Sequence, residues 1–222
     1  MLRYLAFGLG AAFAFASPAK AQSDFYLGGH VGLNYAADSD LVDDALLSGT
    51  DRAALDYADG TAFGGAIGFA LDDIRTELEV TYRENDIDSV TFFSPTGTLP
   101  ASGTVDSLAI IGNVYGDLDL GGPVTPYAGA GVGFTLLSFD DVTDSNGLLF
   151  AGDEVALIGQ LILGAGIELT SNLTATLDYR YVSASPVRLN FNPAYPDGTI
   201  AGRRFDIDYQ THALMLGMRI GF

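Results

Sequence analysis

Eight ionisable residues, Arg75, Glu77, Glu79, Arg83, Glu168, Asp178, Arg180 and Arg219, sit at positions that an extended chain would turn to one side. Neighbouring carboxylates such as Glu77 and Glu79 can serve as acid and base. Flanked by arginines they instead stay ionised, because a guanidinium offers a carboxylate two parallel donors and holds it charged. These residues are therefore expected to form an interior charge network rather than a catalytic set. His30 and His212 would need to share a face to bind zinc, and alternation puts His30 inside and His212 outside. Gly129-x-Gly131-x-Gly133 lacks the helix and downstream acid of a nucleotide loop. Asp144, Asn146, Gly147 and Asp153 partly match a calcium loop, but Val142 takes the first ligand position and the last carboxylate is Asp. We expect no catalytic residue, no cofactor and no metal site; the chain does not read as an enzyme.

The elements that position these residues follow from a period of two. The segment 206–222 sets His212, Leu214, Leu216, Met218, Ile220 and Phe222 on one face and Thr211, Ala213, Met215, Gly217, Arg219 and Gly221 on the other. The same alternation recurs over 24–35, 61–71, 74–84, 104–116, 124–137, 153–169 and 173–182, making eight strands. The clearest is 74–84, with Ile74, Thr76, Leu78, Val80 and Tyr82 opposite Arg75, Glu77, Glu79, Thr81 and Arg83. Long connections at 36–60, 85–103, 138–152 and 183–205 alternate with short turns, and Val42 to Leu47 could form a helical turn. Glycines at 28, 32, 64, 68, 164, 166, 217 and 221 fall on the charged side, where the interior of a small closed sheet has little room. Phe25, Tyr35, Tyr82, Tyr179, Tyr181 and Phe222 lie near strand ends, as interfacial aromatics do.

Composition bounds the class. Residues 1–21 read as a secretory signal peptide, with Arg3, an apolar run and Ala19-Lys20-Ala21 as the cleavage site. Cleavage would take the formal charge from −18 to −20, which repels nucleic acid and other polyanions. There is no cysteine for a disulfide or thiolate site. The mature chain has no apolar run of the roughly 18 residues that a membrane helix needs. Acids gather in the connections and apolar residues in the strands, so charge and hydrophobicity coexist.

The chain resembles the small opacity-like and OmpA-like family of outer-membrane proteins. The likeness rests on the apolar strand ending in Phe222, on the Asp24-Phe25-Tyr26 opening and on Tyr127-x-Gly129-x-Gly131, without a following peptidoglycan-binding domain. The resemblance implies an all-β, eight-stranded antiparallel transmembrane up-and-down β-barrel with four long extracellular loops. It implies a location in the outer membrane, and Phe222 as an assembly signal. The partners it implies are membrane lipid, the barrel assembly machinery, periplasmic chaperones and an unidentified extracellular ligand at the loops. The expected function is that of a surface scaffold, adhesin or antigen. The alternatives are a small passive pore and a soluble lipid carrier; the carrier would reverse the facing of 74–84.

Overall fold

Alternating apolar and polar positions, rich in β-branched and aromatic residues, give ten strands in the computed structural model, which describes residues 25–42, 53–92, 97–196, 198 and 201–222. They are β1 (Phe25–Ala36), β2 (Ser39–Val42), β3 (Ala53–Tyr57), β4 (Gly60–Leu71), β5 (Ile74–Phe92), β6 (Gly97–Asp117), β7 (Val124–Asp144), β8 (Gly147–Thr170), β9 (Leu173–Asn190) and β10 (Arg204–Gly221). From β4 to β10 each strand pairs antiparallel with the next. β1 pairs with both β4 and β10 and closes the lower part of the sheet. Higher up, β2 pairs with β10 and β3 with β5, and β2 pairs with β3.

The expected eight-stranded up-and-down barrel is thus corrected: the sheet has ten strands, and different strands close it at two levels. The register explains the difference. Asn34 lies opposite Gly60 and Ser39 opposite Leu55, so the pairing keeps its frame but loses its ladder between them. Asn85 fills the break from the neighbouring strand, its Nδ2 donating to Asn34 O and Ala58 O, both at 3.1 Å. Asn34 Nδ2 returns a bond to Asn85 Oδ1 at 2.6 Å. Side-chain amides here replace a backbone ladder.

Two further spans expected as loops, 85–103 and 138–152, are largely paired strand, and a third, 183–205, is strand at its two ends. β5 continues through Phe92 and β6 begins at Gly97, so little of 85–103 is unpaired. Only Ser145 and Asn146 separate β7 from β8, and β9 extends to Asn190. Bulges lie within these extensions, at Asp86/Ser89, Ser102/Thr104, Phe139/Val142 and Ile207/Tyr209. Each extra residue flips the facing of every later position in its strand, so the period of two breaks although the strand continues. Residues 1–21 and 43–47, expected as signal peptide and helical turn, lie outside the described residues. No helix among the described residues is long and apolar enough to cross a membrane.

Polarity inverts along the wall. In the lower part the outer positions are apolar and exposed: Val31, Ile67, Leu78, Val132, Leu163 and Leu216 are between 48% and 68% exposed. A contiguous belt of such residues far exceeds what a protein shows to water. On β5 it runs from Ile74 to Tyr82, and the next outer residues are Glu84, Asp86 and Asp88. Nine residues at about 3.4 Å each, tilted by about 40°, span about 20 Å, close to the hydrocarbon-facing band of outer-membrane strands. Above the belt the inside becomes apolar, with Ile87, Val90, Val105, Leu137, Phe139, Leu149, Phe150, Phe205 and Ile207 at most 3% exposed. The wall is therefore inside-out below and water-soluble in pattern above. Val80→Arg is expected to cost about 2–4 kcal/mol in a bilayer. An arginine at the outer Asp88 position should be neutral within about 0.5 kcal/mol, and equal losses in urea titrations of the two refolded variants would remove the boundary between them.

Candidate functional site

The lower interior is a column of polar side chains held by alternate positions of five or more strands. At its foot, β5 turns Arg75 inward, where Nε and Nη2 donate to Asp117 at 2.6 and 2.9 Å. Arg75 Nη1 donates to Glu77 Oε1 and to Tyr26 OH, each at 3.2 Å. Tyr26 OH donates to Glu77 Oε1 at 2.7 Å. The Arg75 guanidinium also lies 4.5 Å from the Tyr115 ring centre and 5.0 Å from that of Tyr127. Aromatic faces thus take the part of a cation that no carboxylate reaches. Arg219, from β10, sits over Tyr26 and Tyr127 at 5.7 and 5.8 Å.

These rings need space beside them. A Cβ on Gly129 would strike the Tyr115 ring, and one on Gly164 the Tyr127 ring. Gly129 and Gly164 are accordingly recesses for tyrosines, while a Cβ on Gly131 would strike Asn113 and one on Gly133 the Ile110 backbone, so the Gly129-Gly131-Gly133 run belongs to packing rather than to a nucleotide.

One level up, Glu79 is fully buried and gathers donors from four strands. Arg180 Nη1 reaches its Oε1 at 2.8 Å, Asn113 Nδ2 its Oε2 at 2.9 Å, and Thr81 Oγ1 donates from within β5. Gln160 Nε2 donates to Asn113 Oδ1 at 2.8 Å and lies 3.4 Å from Glu79 Oε2. Arg180 Nε donates to Asp178 Oδ1 at 2.6 Å, and Tyr127 OH donates to Asp178 Oδ2 at 3.1 Å, tying this level to the one below. His30 Nε2 is 3.1 Å from Thr81 Oγ1 and 3.8 Å from Glu79 Oε1. A buried carboxylate needs this many partners, since each unpaired lone pair in a low-dielectric interior is costly.

At the top of the column Arg83 is 1% exposed, and its Nε and Nη1 have no hydrogen-bond partner. Tyr209 OH and Thr211 Oγ1 are likewise buried without one. This level is the transition from polar column to apolar plug. Above it the rings of Phe139, Phe191 and Phe205 surround Phe150, with centres 5.9, 6.1 and 4.9 Å from its own. Burial among these groups pushes the Tyr57 and Tyr209 hydroxyls up from the usual tyrosine range. On the outer wall of the same level the Arg188 guanidinium, bonded to Asp206 at 2.8 and 3.1 Å, holds that carboxyl below its usual range.

Seven of the eight residues expected in the network line this interior. Glu168 does not join them: it is exposed at the lower rim, where the β8–β9 register slips between Glu168 and Thr170. Sequence reasoning missed Asp117, Asn113, Gln160 and Tyr26 as partners. Asp117 brings the carboxylates of the column to four against the four guanidinium groups of Arg75, Arg83, Arg180 and Arg219. Its one signal was its place at the end of a strand, two residues beyond the inward pair Asn113 and Tyr115. His212 stands on the outer face with its Nδ1 2.5 Å from Tyr179 OH, far from a common site with His30. Asp144 Oδ1 accepts from the Asn146 and Gly147 amides at 2.7 and 3.2 Å, an ordinary tight turn. Phe222 is half exposed, and its amide donates to Phe25 O at 3.1 Å.

A cavity of about 30 Å³ between Gly28, Arg75, Tyr115, Asp178, Arg180 and Arg219 has room for a water or two and for no organic ligand. Around that cavity the column is a packed network of charged groups of both signs.

The comparisons agree with this architecture. A family model described as an outer membrane protein beta-barrel domain matches residues 6–220. No curated protein matches the chain. Among solved structures the chain is similar to the outer membrane protein OprG from Pseudomonas aeruginosa, at 19% identity over 90% of this chain and 96% of that one, with a TM-score of 0.61. It is similar to Neisserial surface protein A at 17% identity, 90% and 98% coverage and a TM-score of 0.54. The outer membrane protease OmpT from Escherichia coli aligns over 93% and 99% at 9% identity and a TM-score of 0.56. At these identities the likeness is one of fold.

Proposed function

Since this chain belongs to the outer membrane protein β-barrel domain family, we propose that it is a non-conducting scaffold whose outward-projecting upper wall serves as a binding or antigenic surface. It resides in the outer membrane as a structural surface protein. The observation that carries the non-conducting reading is that two different seals stand in series inside the sheet: the paired charge column around Glu79 and the ring cluster around Phe150. Water or ions would have to cross both. The opacity-like assignment and delivery by periplasmic chaperones and the barrel assembly machinery are parts of this proposal. The acidic outer positions above the belt, Glu84, Asp86, Asp88, Asp140 and Asp141, support an upward, water-facing orientation for that end.

The test is conductance. Refolded full chain in planar bilayers is expected to give no stable single-channel steps. Stable steps in the wild-type chain would favour the passive pore and overturn the scaffold reading. The soluble lipid carrier is disfavoured by the exposed belt, which would aggregate in water.

A further inference from the structure

The wall is parted above the belt between β8 and β9. Their ladder ends at Ile158 opposite Ala184, although β8 continues up to Gly147 and β9 to Asn190. Just beyond the last pair stands Pro186, which has no N–H to give a partner strand. Ser185 Oγ takes the Leu157 amide at 3.2 Å in place of a backbone carbonyl. The strands meet again only at the top, where Asn192 N donates to Leu149 O at 2.6 Å. Between these two contacts the stretch 150–156 of β8 pairs on its other side with β7 and on this side with no strand.

Glu154 reports independently that the wall is open here. It lies opposite Leu137, in register with Ala156 opposite Thr135, and so occupies an inner-face position. Leu137, Thr135 and Ala156 are buried, yet Glu154 is exposed. An inner-face carboxylate reaches water only through a break in the sheet. It is paired with no cation among the described residues, while Arg188 across the break is bonded to Asp206. The floor of the break is the Leu189 side chain, whose Cδ2 would lie 3.1 Å from a Cβ on Gly152.

We propose that this break is a docking site for an extended, basic peptide segment of a partner protein, which adds as a strand to the free edge of β8 at 150–156. An unpaired edge supplies a row of backbone donors and acceptors, and strand addition uses them whatever the partner's sequence. Glu154 then selects for lysine or arginine on the inner face of the added strand and Asp153 on its outer face, with Asp140 and Asp141 exposed on the adjoining β7. A second copy does not fit: two chains standing upright in one membrane would present this edge to each other in parallel, crossed orientation. The site is distinct from the polar column, and its occupant need not enter the interior.

The probe is an end-blocked heptapeptide alternating valine and lysine, fluorescently labelled, titrated against the refolded full chain in lipid nanodiscs. Saturable binding is expected. Glu154→Gln, at an exposed position that folding does not need, should weaken it at least about 10-fold, the scale of losing one charge-assisted contact. N-methylation of alternate peptide amides should weaken it as much while leaving the charge intact, and glutamate in place of lysine should abolish it. Hydrogen exchange should show amides of 150–156 slowed by the peptide. No binding of the valine–lysine peptide overturns the proposal. Equal binding by the N-methylated peptide, or exchange unchanged at 150–156, also overturns it, since charge alone would then account for the interaction.

Discussion

Replacing Glu79 by alanine is expected to cost the folded protein about 3–5 kcal/mol, because it takes one of two carboxylates from a buried guanidinium and empties the centre of its hydrogen-bond network. Glu79 receives Arg180, Asn113 and Thr81 directly, and His30 lies beside it. Its removal leaves Arg180 with Asp178 alone and leaves the Asn113 amide facing a void. The charge balance of the column shifts by one at a level with no access to bulk water. Urea titration of the refolded variant, read by heat-modifiable migration on a gel, measures the loss. Glu79→Gln should lose less than alanine, because its amide oxygen still accepts from Arg180 while Arg180 keeps Asp178. A loss below about 1 kcal/mol in the alanine variant would mean that the column is hydrated and the carboxylate dispensable.

Phe150→Ala is the second large effect, about 3–5 kcal/mol, from transfer of the ring and the cavity it leaves. Phe150 is 1% exposed and touches three other phenylalanine rings, so no single neighbour can move in to refill its volume. The cost falls on the upper wall. Protease sensitivity of the β7–β8 and β9–β10 connections should therefore rise before the membrane-embedded part is lost. The variant should remain electrically closed, because the charge column below it is intact. A loss under about 1 kcal/mol would show that the upper cluster is loosely packed, and channel steps in this variant would show that the column does not seal by itself.

The lower wall was legible because lipid imposes the cleanest alternation: from Ile74 to Arg83 every outer residue but Thr76 is apolar or aromatic and every inner one is polar. The facing of His30, His212 and Arg219, and the pairing of the first strand with the last, followed from the same rule. The upper wall was not legible. There Asp86, Asp88, Pro100, Asp140 and Pro186 lie in strands, and bulges such as Phe139/Val142 shift the apolar residues to the other parity. Composition of that kind reads as loop, although the bulged strands bury a core of their own. Glu168 failed for a related reason: an inner position counts as interior only while wall surrounds it, and at the rim it does not. The partners of Arg75 were hidden because Asp117 and Tyr26 are distant in sequence, and only the strand pairing of the folded sheet brings them within reach.

The inversion of polarity along the wall has a thermal consequence. Apolar groups of the belt pass from one oily environment to another when the protein leaves its native state inside a bilayer, whereas the residues around Phe150 are exposed to water. Nearly all of the positive heat capacity of unfolding therefore belongs to the upper part. Chilling weakens that part and leaves the belt indifferent, so in the cold the end above the belt loosens first while the membrane-embedded end keeps its shape.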